Sequence, residues 1–125
     1  MMYYKGTNLK GISKNDIYKI DNPNIANLHR LGFRFRHNMS DAEDDVYEYA
    51  FPVYRYHAII SLEARFLLWQ KSNILKVDVF DSTTHGIYAP WYNDNSGIHQ
   101  EVIKIIDKNI SREMRNIGVS LKEEA

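Results

Sequence analysis

The chain has no cysteine among its 125 residues, and few prolines or glycines. Without cysteine, a disulfide framework and a thiolate zinc site are both excluded, which fits a cytoplasmic protein. Lysine plus arginine and aspartate plus glutamate each number 16, so the formal net charge is zero, and we do not expect nucleic acid as the partner. No segment reaches the roughly 18 apolar residues that span a bilayer, and the opening MMYYKGTNLKG lacks a signal-peptide run. These absences predict a soluble intracellular protein.

Signatures of catalysis and of metal binding are also missing. The five histidines are scattered without a pair at helical ligand spacing, so we expect no metal site. There is no nucleophile elbow, glycine-rich phosphate loop or dinucleotide fingerprint. The acidic residues of SDAEDDVYE form a run, which is typical of a solvated connection. We therefore expect neither an enzyme nor a bound cofactor.

Hydrophobic periodicity divides the chain into helical and extended parts. The length suits one domain, and we take residues 1–125 as that domain, with 1–12 and 119–125 as flexible ends. SKNDIYKI, from Ser13, predicts a brief helical turn. The stretch 23–31 predicts a short helix that Asn22 caps and Gly32 ends.

After Gly32 the period changes to two, as in strands. GFRFRH, VYEYAFPVYRYHAIISLEARFLLWQ and ILKVDVFD predict a four-stranded antiparallel meander, with Pro52 at an edge or a bulge. Residues 97–117 carry an apolar stripe of helical spacing. The expected fold is α+β: a short N-terminal helix, the meander, and a C-terminal amphipathic helix packed on the Leu62, Phe66 and Val77 face of the sheet.

Arginines next to aromatic rings are the main functional signal. Aromatic residues make up 13% of the chain, and a guanidinium can hold a phosphate bidentately while a ring stacks on a base. Strand alternation alone also places basic residues outside and rings inside. The late helical arginines also complement the helix dipole. The candidate ligand-binding residues of this type are Arg34, Arg36, Arg55, His57, Arg112 and Arg115.

The stretch GIYAPWYNDN lies between the last predicted strand and the C-terminal helix. Trp91, Tyr92, Asn93 and Asp94 can form the rim of a pocket, where amides read a base or a sugar and backbone N–H groups favour an anion. In the alternative, Trp91 is a hydrophobic plug under the helix and Asn95 is the helix cap. The sequence supports both interpretations.

The layout from about Phe33 to Ile117, an aromatic-rich meander followed by an amphipathic helix, resembles the first described type of phage Thoeris anti-defence protein. The resemblance implies a homodimer or larger homo-oligomer in the cytoplasm of the host cell. It also implies a cyclic ADP-ribose signal that is sequestered without being degraded. The competing expectation is a small protein-binding inhibitor or immunity module that acts through its aromatic surface.

Overall fold

The computed structural model describes residues 18–55, 61–92 and 100–121, which form an α+β fold with one sheet. Two longer helices flank the central strands in sequence, and a third helix is a single turn. In chain order the elements are β1 (Tyr18–Ile20), α1 (Ile25–Leu31), β2 (Arg34–Phe35), a 3-10 turn (His37–Met39), β3 (Val46–Arg55), β4 (Ser61–Trp69), β5 (Ile74–Asp81), α2 (Ala89–Tyr92), α3 (Gln100–Ile117) and β6 (Val119–Leu121).

The predicted meander is confirmed in β3, β4 and β5, which pair antiparallel with their sequence neighbours. Their alternation puts Phe66 directly between Tyr49 and Val77 on the inner face. Pro52 lies at an irregularity of the register. Because β2 pairs only with Tyr47 and Glu48 of β3, the described part of the chain offers no strand partner to that edge of β3 beyond Glu48. Pro52 therefore occupies both an edge and a bulge, as its missing N–H requires.

The sheet has six described strands, not the four expected, in the order β2-β3-β4-β5-β1-β6. β1 forms in the segment for which a helical turn was predicted, and β6 forms where a tail was predicted. The Asn73 side chain bonds both the backbone N–H and the carbonyl of Ile20, at 3.0 and 2.9 Å. β1 in turn pairs with β6. Strands of three residues are too short to show a period, and only this distant pairing makes them extended.

The helix ends follow their local signals with one shift. α1 begins later than predicted, because Asn24 and not Asn22 is the cap: its side chain accepts from the Ala26 N–H at 2.9 Å. Gly32 ends α1 with φ of 106° and Gly118 ends α3 with φ of 80°. Both glycines directly follow the last residue of a predicted helix, and the left-handed conformation explains why glycine is needed there.

α3 covers the inner face of the sheet and closes the core, as its apolar stripe predicted. Ile105 is the exception, since it falls within the predicted stripe and is 43% exposed. The buried side chains of α3 are Ile103, Ile106, Ile110, Ser111, Met114 and Ile117.

Most rings of β3 pack in the core. Tyr49 lies 5.3 Å from Phe33 and 5.5 Å from Phe51, and Phe51 lies 5.0 Å from Phe66, measured between ring centroids. Such tilted and edge-on pairs stabilise a core beyond the area they bury. The aromatic rings of β3 are thus used largely for folding.

Candidate ligand-binding groove

A groove of about 430 Å³ runs between the end of β3 and the middle of α3. The bulge of β3 and its unpaired edge create the space, because no strand fills the position next to Tyr54 and Arg55 within the described chain. Its volume lies in the range of small-molecule sites. The described lining residues are Pro52, Val53, Tyr54, Arg55, Ile105 and Asn109.

Two hydrogen bonds fix α3 to β3 beside the groove. The Asn109 side-chain amide donates to the Val53 carbonyl at 2.6 Å, and the Tyr49 hydroxyl donates to Glu113 at 2.9 Å. Burial and this bond to a carboxylate raise the pKa of Tyr49 to about 12. The phenol therefore remains a neutral donor at every physiological pH, and the groove walls keep a fixed spacing.

Arg55 is the charged residue of the groove. Its side chain is exposed at the end of β3 and forms no ion pair with another described residue. On α3, Arg112 follows Asn109 by three residues and lies on the same side of the helix as Ile105. Arg55 lines the groove, whereas Arg112 is not among the described lining residues.

Trp91 is not part of this groove. Its side chain is fully buried in the core, and its indole N–H donates to the Asp107 carboxylate at 3.0 Å. Asp107 differs from Ile105 and Asn109 by two helical positions, which is about 160–200° around the axis. Trp91 and Arg55 therefore lie on opposite sides of α3. The plug interpretation describes Trp91, and its ring has no exposed face for a ligand.

Asp107 makes the stability of the protein around the buried Trp91 ring depend on pH. Burial raises the pKa of Asp107 to about 6, so the folded state holds a proton that the unfolded state has already lost. This contribution to stability is complete below about pH 4 and is lost as the pH rises through about 6. Asp107→Asn keeps an acceptor for Trp91 without the charge. We expect its melting midpoint to exceed that of the wild type by a few degrees at pH 8 and to match it at pH 4.

Calorimetric melts from pH 4 to 8 measure this difference. Glu101→Gln, which removes an exposed carboxylate from the same helix, is the control and should leave the midpoint unchanged at both pH values. An Asp107→Asn variant that is less stable than the wild type at pH 8 would contradict the prediction.

Arg34 and Arg36 lie away from the groove, at the β2 edge of the sheet. Arg34 is exposed and pairs in register with Glu48. Arg36 lies 3.8 Å from the Glu48 carboxylate, and Arg65 lies 3.4 Å from it. The Arg65 guanidinium also stacks at 4.2 Å over Phe80. These arginines therefore belong to a charged network of the outer sheet face.

A second cavity of about 390 Å³ adjoins this network. Its lining includes Arg65 and His85, but also the carboxylates of Glu48, Glu63 and Asp81. Three carboxylates around one guanidinium disfavour a phosphate group. The groove is the better site for an anion, because the residues that line it bring one positive charge and no negative charge.

The other predicted site residues divide into two groups. His57, Asn93 and Asp94 lie outside the described residues. Tyr92 ends α2, and Arg115 is exposed on the last turn of α3. The structure therefore places Arg55 in the groove, Arg112 on the helix that forms one wall of it, and Arg34, Arg36 and Trp91 elsewhere.

Five of the six described lining residues were not predicted as site residues: Pro52, Val53, Tyr54, Ile105 and Asn109. Ile105 falls within the predicted apolar stripe, and Pro52 was predicted only to lie at an edge or a bulge of the sheet. No local signal marks Asn109, because its role depends on α3 packing against the bulge of β3. Lys104 and Lys108 of α3 were not predicted as site residues either, although their four-residue spacing puts them on the same side of the helix as Arg112.

Comparison of the chain with protein-family models, with curated proteins and with solved structures gives no match. Among the described residues, no group of three histidine, aspartate or glutamate side chains could hold a metal ion. The described helices include none with the length and apolar character needed to cross a membrane.

Proposed function

We propose that the protein binds and sequesters an anionic, nucleotide-derived signalling molecule of the cyclic ADP-ribose type, without catalysis, and so blocks a bacterial immune pathway. The observation that carries the proposal is the groove that exposed Arg55 lines together with apolar residues of β3 and α3. The ligand type and the homo-oligomeric cytoplasmic state come from the resemblance in layout.

The groove offers the contacts that such a ligand needs. A guanidinium binds a phosphate group through two parallel N–H donors. Tyr54, Pro52 and Ile105 supply ring and apolar surface for a base or a ribose. Small-molecule sites typically combine a largely apolar lining with one or two such polar groups.

The same lining supports binding over catalysis. The described residues that line the groove carry no carboxylate and no imidazole. A proton transfer to a bound ligand needs such a group within hydrogen-bond reach. The proposal is therefore that the ligand leaves the protein chemically unchanged.

Replacing Arg55 tests the groove. Arg55→Ala should weaken binding roughly 10- to 100-fold, because charge-assisted hydrogen bonds contribute about 1.5–3 kcal/mol. Its melting midpoint should stay within a few degrees of the wild type, since the side chain is exposed. Isothermal titration with cyclic nucleotides and cyclic ADP-ribose isomers measures the binding affinity, and thermal melts measure the melting midpoint.

Arg30→Ala is the matched control, because it removes an exposed arginine from α1 at a distance from the groove. Chromatography of the heat-released ligand distinguishes storage from turnover. Equal affinity of Arg55→Ala and wild type would reject the groove. Loss of binding in Arg34→Ala alone would move the site to the outer sheet face, and a chemically altered ligand would reject sequestration.

A further inference from the structure

The exposed side of α3 carries a row of four cations that the groove does not explain. These residues, here called the cationic row, are spaced by four, four and three positions, which confines them to an arc of about 80°. All four are exposed. The cationic row consists of Lys104, Lys108, Arg112 and Arg115.

The charge of the row is poorly matched within the described chain. Lys104 lies 3.6 Å from Glu101, and both side chains are more than two thirds exposed. Lys108, Arg112 and Arg115 form no ion pair with a described residue. The other acids of α3, Asp107 and Glu113, face Trp91 and Tyr49. The row therefore presents net positive charge although the chain as a whole is neutral.

Helix stability does not account for this arrangement. Cations near the C-terminus complement the helix dipole, which explains Arg115 and Arg112. Lys104 lies in the first half of α3, where the dipole gives no such benefit. Like charges four positions apart also repel, as in the Lys104 and Lys108 pair and the Lys108 and Arg112 pair. A binding partner that supplies negative charge would explain why these four cations lie together.

We propose that the cationic row docks an acidic helical segment of a partner protein. Four charges along about 16 Å of helix match carboxylates spaced at the same four-residue interval. Ile105 is 43% exposed beside the row and offers the apolar contact that interfaces place among charges. This surface is separate from the proposed small-molecule function, although Ile105 also lines the groove.

Other polyanions fit the row less well. Four cations neutralise few phosphates, so nucleic acid would bind weakly at physiological salt. α3 also contains no aromatic residue on which bases could stack. An anionic membrane surface would need an exposed apolar helix face, whereas the apolar face of α3 is buried against the sheet.

The test uses a synthetic helical peptide with glutamates at positions i, i+4, i+8 and i+11 and one leucine, measured by fluorescence anisotropy against the full-length protein. We expect binding at low salt, and at least a tenfold loss in the Lys108→Glu, Arg112→Glu double variant. A peptide with lysines at the two middle positions and glutamates at the two outer ones should bind the double variant more tightly than the wild type. This exchange of charges distinguishes a contact from misfolding.

The Arg30→Glu, Arg34→Glu variant is the control, because it makes the same change in net charge on exposed positions outside α3. It should bind the glutamate peptide like the wild type, and so should Arg55→Ala, which separates this result from the groove. Equal peptide affinity of the double variant and wild type would overturn the proposal. Tighter binding of a 20-nucleotide single strand or of phosphatidylserine vesicles than of the peptide at 150 mM salt would also overturn it.

Discussion

Replacing Trp91 with alanine should lower the free energy of unfolding by about 3–5 kcal/mol. The ring is fully buried, and its removal leaves a large cavity together with an Asp107 carboxylate that has lost the indole donor. For a chain of this length, the melting midpoint should fall by roughly 10–20 °C. Chemical unfolding followed by circular dichroism measures the effect.

Trp69→Ala is the matched control for this prediction. Trp69 is half-buried on the outer sheet face, where Lys76 lies 5.0 Å above its ring. Its loss removes one face of packing and one cation–π contact, so less than half of the Trp91 effect is expected. A Trp91→Ala variant that melts within a few degrees of the wild type would show that the ring is not a core plug.

Replacing Asp44 with alanine should lower the free energy of unfolding by about 2–4 kcal/mol, because its carboxylate connects two loops through charge-assisted hydrogen bonds. Asp44 is 7% exposed. Its carboxylate accepts from the Lys71 N–H at 2.7 Å, and from the Ser72 N–H at 3.1 Å and hydroxyl at 2.6 Å. It also accepts from the Asp45 N–H at 2.9 Å.

The pH dependence of this effect has the opposite sign to that of Asp107. Burial disfavours the charged form of Asp44, but the hydrogen bonds from Ser72, Lys71 and Asp45 outweigh it, and the pKa is lowered. The stabilisation is therefore present above the ordinary carboxyl pKa and is lost as the pH falls through the lower folded value. The difference between Asp44→Ala and wild type should shrink below about pH 4.

Glu43→Gln provides the comparison for Asp44, since Glu43 is an exposed acid of the same loop. We expect it to change stability by less than about 0.5 kcal/mol. If the two variants unfold alike in denaturant titrations at pH 7, the carboxylate of Asp44 does not hold the loops together.

The central strands and α3 could be predicted because each carries a long, regular pattern. Leu62 and Phe66 alternate with Glu63 and Arg65 over enough residues to fix which face is buried. The end of α3 was readable from Gly118 alone. In contrast, β1 and β6 have three residues each, and their pairing joins positions that local sequence cannot relate.

The candidate site was predictable only in part. Arg55 was a candidate binding residue because it lies between two tyrosines in the sequence, and the structure places it in the lining of the groove. Trp91 was a candidate because it lies between Pro90 and Tyr92, but a ring beside a proline looks alike in a rim and in a core. The position of Asp107 on α3 decides between these two roles for Trp91, and that position depends on how the helix packs.

The pairing of β1 with β6 joins residues about 100 positions apart and bears on when the protein can fold. The meander of β3, β4 and β5 pairs only sequence neighbours, so it can form while later residues are still being synthesised. β1 gains its second neighbour only after α3 and β6 have left the ribosome. The sheet is therefore completed only after residues 119–121 have emerged, and a ribosome-stalled chain that lacks them should leave β1 open to proteolysis.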